Sequence, residues 1–328
     1  VTTTNTNAVG SMSGAESVED TINRIFSGSD SSLGMEIAHE SSRFAAIEAA
    51  VFPKPDRTRI IAVANQKGGV GKTTTTVNIA AALALGGARV MVIDMDPQGN
   101  ASTALGIQHG SGIPSVYDVL EGRSSIDEIR QQCPDFTTLD VVPASIDLSG
   151  AELEVADAPN RNDLLHDAVH AFLSATDDHY DYIFIDCPPS LGLLVINAMC
   201  AAEEMLIPIQ AEYYALEGLG QLLHTIGLVQ EHFNSSLLVS TMLVTMFDKR
   251  TLLSREVFDE VKQHYPSIVL DTTIPRTVKI SEAPSFGQSV IAYDRRGMGA
   301  TAYREAALEI ARRSKQVLEA IANKRGEH

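Results

Sequence analysis

The stretch from Arg59 to Gly87, "RIIAVANQKGGVGKTTTTVNIAAALALGG", constrains this chain more than any other. A β-branched, apolar run feeds directly into a glycine-rich loop, and the loop into a segment compatible with a buried helix. That strand, loop, helix order is the setting a phosphate-binding loop requires. Gly68, Gly69 and Gly71 allow the backbone to curl so that successive N–H groups point at phosphate oxygens, and the N-terminus of the following helix adds its positive end. Lys72 is placed to contact the β- and γ-phosphates and Thr73 to set its hydroxyl on Mg²⁺, with Val70 and Thr74 completing the nucleotide-binding stretch. The strict pattern G-x-x-x-x-G-K-[ST] is nevertheless broken, because counting back five from Gly71 lands on Gln66. A second lysine, Lys67, precedes the glycine pair, and binding in cis does not need it.

Downstream, short apolar runs alternate with helical patterns. "RIIAVA", "RVMVID", "LDVVPA", "YDYIFID", "EMLIPI", "LVSTMLVTMF" and "VLDTTIP" each have strand length. Continuous apolar strands separated by helices predict a mostly parallel sheet with helices on both faces, a doubly wound three-layer α/β fold. Ligands are expected beyond the carboxyl ends of such strands. Asp94 and Asp96 stand at one such end, where a carboxylate can orient a Mg²⁺-bound or attacking water, and Asp94 can equally cap the turn. Asp186 stands at another, in "YIFIDCPP", where a carboxylate reaches Mg²⁺ through water, and two prolines stiffen the segment after it. Cys187 next to it reads as a buried, inert thiol. A last helix from about Ala300 to Lys324 places Tyr303, Ala307, Ile310, Ala311, Val317 and Ile321 on one side, a core-facing stripe.

Composition sets the boundaries. The chain has 328 residues and is 44% hydrophobic, ample for a buried core. The longest apolar runs fall short of the roughly 18 residues a membrane span needs, and no charged segment followed by an apolar core opens the sequence, so a secretion signal is not expected. Three cysteines without CxxC spacing fit a reducing cytoplasm. The first 35 residues hold 19 Ser, Thr, Asn or Gly, too little apolar material to offset ordering entropy. Residues 1–57 are therefore expected to form a flexible tail with a short helix over Glu36–Val51 and a linker "PKPDRTR", and residues 58–328 the phosphate-binding α/β domain. The tail is either inert or a docking segment for a further partner.

Net charge is −17, unpromising for nucleic acid. Its distribution is more informative: Thr245–His328 carries 14 Lys and Arg against 11 Asp and Glu, net +3, leaving −20 elsewhere. No Lys or Arg occurs between Asn162 and Val244.

"KGGVGKTT", with its extra lysine, resembles the deviant Walker A motif of the ParA/MinD ATPases. The resemblance continues through "VIDMDPQGNAST", "DYIFIDCPPSLGLL", "AEYYALEGL", "VTMFDKRTLLSREV" and "IPRTVKISEAPSFGQSV", covers most of residues 59–300, and is closest in character to the chromosomal ParA (Soj) branch. It implies a cytoplasmic, nucleoid-associated ATPase that uses ATP and Mg²⁺. ATP would drive a sandwich homodimer that binds double-stranded DNA nonspecifically, and hydrolysis, slow alone and stimulated by a ParB-like centromere-binding partner, would release it. By the same resemblance Lys67 reaches the partner subunit's phosphates, Asp96 serves hydrolysis, and Pro97–Asn100 is a switch. Base contacts are implied near Met246–Asp248 and Pro275–Thr277, Met246, Pro275 and Arg276 among them. DNA contacts are implied at Arg250 and Lys279, the latter a lysine where relatives often carry arginine. Dimerisation would join the weakly basic C-terminal thirds into one face, and no recognition helix for base reading is evident. A MinD-like membrane-associated positioning ATPase is the alternative, although "LEAIANKRGEH" is short of bulky apolar residues for an anchor. A tyrosine kinase of related type would want more than Tyr303 near the end, an iron–sulfur reductase would want suitably placed cysteines, and a non-catalytic scaffold shares the same output of position and assembly.

Overall fold

The computed structural model describes residues 32–154, 158, 160–212 and 215–326. The Ser/Thr/Asn/Gly-rich stretch up to residue 31, and Tyr213 and Tyr214 of "AEYYALEGL", lie outside the described residues. The chain divides into two units, Val1–Glu48 and Ala49–His328. In the first, helix α1 spans Ser32–Glu48, ending short of the expected Val51.

The second unit is built on a seven-stranded sheet in the order β3-β4-β2-β5-β1-β6-β7. The strands are β1 (Arg59–Val63), β2 (Val90–Asp94), β3 (Gln131–Gln132), β4 (Leu139–Val142), β5 (Tyr182–Asp186), β6 (Glu204–Gln210) and β7 (Leu238–Thr245). Every neighbouring pair is parallel except β3 with β4. The longer helices are α2 (Lys72–Leu85), α3 (Leu164–Ala175), α4 (Leu193–Ala201), α5 (Ala215–His232), α6 (Leu252–His264), α7 (Met298–Arg312) and α8 (Ser314–Gly326).

Strand periodicity of two sorts the apolar residues into two cores. Ile60, Ala62, Ile183 and Ile185 pack with α3, α4, α5 and α6 on one face. Ile61, Val63, Tyr182 and Phe184 pack with α2 and α7 on the other. The expected doubly wound three-layer architecture is what forms. Helix α2 is buried nearly all round, and from Val77 to Leu85 it is apolar but for Asn78, so it must be covered on every side. The sheet covers one side and α7 another, with alanines at 80, 81, 84, 300 and 307 buried in the same core.

Three features depart from the sequence reading. Residues 53–58 are fastened to the sheet rather than left as a linker: Lys54 pairs with Asp181 at 3.0 Å, Arg57 pairs with Glu203, and the Thr58 hydroxyl donates to the Tyr180 carbonyl at 2.7 Å. "VLDTTIP" makes only isolated parallel bridges, Met242 to Val269 and Phe247 to Pro275, because the N–H groups of Asp271 and Thr272 donate to the Glu309 carboxylate instead (2.9 and 3.1 Å). The final helix is two helices, broken at Arg313. The Ile310 carbonyl, which an unbroken helix would give to the N–H of Ser314, accepts from Arg59 Nη1 at 2.9 Å. The expected core stripe from Tyr303 to Ile321 is nevertheless buried across both helices.

Arg59 is the main polar anchor of this core. Its guanidinium is almost fully buried and grips both oxygens of Glu204, at 2.7 and 2.6 Å. Replacing Arg59 by methionine strands a buried carboxylate and is expected to cost about 3–5 kcal/mol in urea unfolding. Replacing Glu204 by leucine in the same chain should return most of it, since a well-packed apolar pair rivals a buried ion pair.

Candidate nucleotide site

β1, β5 and β2 end in register, with Val63 opposite Asp186 and Asp94 opposite Asp186. The glycine loop leaves β1 at that edge and is tied down on two sides. The Asn65 amide donates to the Pro208 carbonyl of β6 (2.8 Å) while its oxygen accepts from the Lys67 N–H (3.0 Å). The Thr245 hydroxyl, at the end of β7, donates to the carbonyl of buried Val70 (2.8 Å). Pro208 is tolerated in an inner strand because β1 pairs with β6 only as far as Leu206, so the loop, not a ladder, faces the missing N–H. Gly69 and Gly71 take φ of 75° and 89°, left-handed backbone that a side chain would strain. Gly71 caps α2 without a side-chain bond, leaving the first N–H groups of α2 facing a cavity of about 410 Å³.

That cavity brings Gly68, Gly69, Lys72, Thr73, Asp96 and Pro189 together. Lys72 is 8% exposed; burial lowers its pKa, opposed by the carboxylates of Asp186 and Asp96. The Thr73 hydroxyl donates to one oxygen of Asp186 (2.7 Å) and the Thr76 hydroxyl to the other (2.8 Å). Asp186 is wholly buried, and burial, followed by the Asp94 charge, pushes its pKa upward. Asp186 therefore sits behind Thr73 and addresses the cavity through that hydroxyl or a water. Among the described residues no group of three or more His, Cys, Asp or Glu could hold a metal alone. Magnesium suits such a place, since it binds through a few protein oxygens, phosphates and retained waters.

Asp94 and Asp96 have separate surroundings. Asp94 is fully buried and accepts from the Ser102 N–H (2.8 Å), the Ser102 hydroxyl (2.7 Å) and the Asp96 N–H (3.2 Å), so it holds the turn and the short helix Asn100–Ala104. Asp96 lines the cavity, and its side chain accepts from the Gln98 N–H at 3.0 Å. Gly99, at φ 63°, leads into that helix, and a Cβ there would meet the His109 ring at 2.6 Å. Cys187 is buried with its thiol pKa pushed up by burial, and Cys133 and Cys200 are buried too.

Met246, Pro275 and Arg276 line a second cavity of about 570 Å³ that shares Gly71, Thr74 and Met246 with the first. Met246 carries the one positive φ of a non-glycine among the described residues, 52°. Its sulfur accepts from Gln210 Nε2 at 3.3 Å and Arg276 Nη2 at 3.8 Å. Lys67 is half-exposed, and its ammonium pairs with Glu212 at 2.9 Å, while the other Glu212 oxygen accepts from Gln210 at 2.6 Å. Arg250 and Lys279 lie at the surface, each with a carboxylate: Arg250 bonds both oxygens of Asp248 (2.9 Å each), holding that carboxyl at about 2. Lys279 bonds Glu282 at 3.0 Å.

Several residues here escape sequence reading. Thr76 was discoverable, since it lies one turn from Thr73 on the same helix face. Glu212, Asn65 and Thr245 carried no local signal, because their partners are set by strand order.

A profile for an AAA domain matches residues 58–239. Over 253 residues the chain is 49% identical to the sporulation initiation inhibitor protein Soj of Bacillus subtilis, covering 77% of this chain and 98% of that protein. It is 46% identical over 255 residues to the chromosome partitioning protein ParA of Myxococcus xanthus, covering 78% and 88%. In three dimensions it resembles cobyrinic acid a,c-diamide synthase of Mycobacterium smegmatis, solved with ADP and magnesium, at TM-score 0.67 and 38% identity over 79% of this chain and 96% of that one. With a phosphate loop, two cavities and three strand-end carboxylates arranged as described, the chain belongs to the ParA/Soj family of chromosome-partitioning P-loop ATPases.

Proposed function

We propose that this ATPase is a partition switch in which ATP joins two subunits face to face, the dimer holds double-stranded DNA without sequence preference, and hydrolysis lets it go. The observation that carries the reading is Lys67, which stands beside a complete phosphate loop that already has Lys72, and is held by a half-exposed ion pair with Glu212. Such a pair is worth about 0–1 kcal/mol, so a partner subunit's phosphates outcompete Glu212 at little cost. A lysine supplied in trans then does the work of an arginine finger. Linkage makes nucleotide state set assembly state.

Within each subunit the loop N–H groups and Lys72 hold the phosphates, and the 570 Å³ cavity at Met246, Pro275 and Arg276 takes the base. Thr73, with Asp186 behind it, fits Mg²⁺, which when bound neutralises phosphate charge. Asp96 orients the attacking water, and Pro97–Asn100, pinned through Ser102 to Asp94, senses the γ-phosphate. Arg250 and Lys279 exchange their exposed carboxylate partners for DNA phosphates, an exchange that salt opposes. Hydrolysis is slow until a ParB-like, centromere-binding partner stimulates it, and the working location is the nucleoid. A MinD-like membrane role would need an apolar anchoring face, and α8 turns Val317 and Ile321 into the core.

The test is retention on nonspecific duplex DNA with ATP, with ADP and without nucleotide. Retention is expected with ATP alone and should fall steeply with salt. Lys67→Ala should keep nucleotide affinity within a few-fold yet lose both dimerisation and retention. Equal DNA affinity in all three nucleotide states would sink the switch.

A further inference from the structure

A further cavity, about 790 Å³, lies away from the nucleotide loop, between the segment Val119–Glu128 and α3. It belongs to the face of the sheet opposite α2, since Leu120, Ile126 and Phe172 pack in the core that excludes the phosphate-loop helix. Its floor is apolar: those three residues, half-buried Leu164 and Ala168, and exposed Ala171. Small side chains along α3 leave room for another backbone to come close. The rim is acidic, with Glu121, Asp127, Glu128 and Asp167 against a single lining cation, Arg123. Arg123 is already engaged, bonded to Asp118 at 3.1 and 2.9 Å, stacked 4.7 Å over the Tyr117 ring and paired with Glu121 of the rim, which it partly neutralises. Asp127 is partly satisfied by Arg130 at 2.8 Å. Glu128 accepts from the Ser125 N–H and hydroxyl, which hold its carboxyl below the usual range and keep the rim charged. The α3 side falls in the stretch Asn162–Val244, which contains no Lys or Arg.

We propose that this groove is a docking surface for a cationic amphipathic helix of a partner protein. An apolar floor with charged walls is how a groove reads a helix, the apolar face entering and the flanking charges setting orientation. Charge decides between occupants. The chain's own residues 1–31 carry four acidic side chains and one basic, and a second copy brings a net charge of −17, with only +3 over Thr245–His328; neither complements the rim as a lysine-rich helix does.

The test uses the full chain and a fluorescent probe peptide of about four helical turns, with leucines on one face and lysines on the other. Two controls accompany it: a scrambled peptide of the same composition, and a helix with glutamate in place of lysine. Ala171→Arg places bulk and positive charge in the groove at an exposed helical position that tolerates arginine, with circular dichroism confirming the fold. Binding of the leucine–lysine helix is expected to weaken about tenfold in Ala171→Arg and to exceed that of the scrambled peptide by about tenfold, roughly 1.4 kcal/mol each. Equal binding of the scrambled peptide would mean attraction by overall charge alone and overturns the proposal. So does equal or tighter binding of the glutamate helix, which would point to the chain's own acidic segment. Loss of 8-anilinonaphthalenesulfonate binding in Ala171→Arg with the peptide unaffected would mark a small-molecule pocket instead, and also overturns it.

Discussion

Lys72→Ala is expected to weaken ATP binding by on the order of 100-fold, read by titration with a fluorescent ATP analogue. Contacts from a charged donor contribute about 1.5–3 kcal/mol each, and losing them at the β- and γ-phosphates gives roughly 3 kcal/mol, or two decades. The structure sharpens the expectation, because Lys72 is 8% exposed and stands close to the Asp96 and Asp186 carboxylates. Without the ammonium, those carboxylates face the incoming phosphates uncompensated. Arginine should not substitute, since a planar fork needs room that a loop packed against Thr245 does not offer. Retained affinity in Lys72→Ala would remove this loop from the nucleotide site.

Asp96→Ala should do the opposite: ATP binds with affinity within about threefold of the parent, while phosphate release slows by about 10²–10⁴, the usual contribution of a positioned base. The variant should then stay on DNA in ATP. Because the Asp96 side chain also accepts from the Gln98 N–H, loss of activity alone does not separate chemistry from turn geometry. Asp96→Asn does, since its amide oxygen can still accept that hydrogen bond. If the carboxylate acts on water, Asp96→Asn is as slow as Asp96→Ala; if Asp96 only shapes the turn, Asp96→Asn recovers most of the rate.

Much of the site was legible before any coordinates because its parts are local. A strand that runs apolar to its last residue and ends in aspartate places that carboxylate at the carboxyl end of the sheet, which is how Asp94 and Asp186 were found, with Asp96 two residues further along the same turn. Glycines before a lysine and a threonine define the loop by backbone freedom alone. The division of labour between Asp94 and Asp96 was only half visible: both sit at the strand end, but Ser102 claims the first, and that bond depends on where the next helix begins.

Spacing along the backbone was enough for the sequence to determine several features by itself: the phosphate loop, the carboxyl-end aspartates, the alternation that buries both faces of a parallel sheet, and the core stripe from Tyr303 to Ile321. Only the tertiary structure decided the pairings across strands. Lys67 meets Glu212 across 145 residues, and Arg59 takes a helical carbonyl 251 residues away, splitting the last helix. Glu309 draws the N–H groups of Asp271 and Thr272 out of the sheet. Each turns on strand order or helix placement, which bring distant segments within hydrogen-bonding reach. No local period encodes that order, because it is chosen by the burial of the whole chain at once.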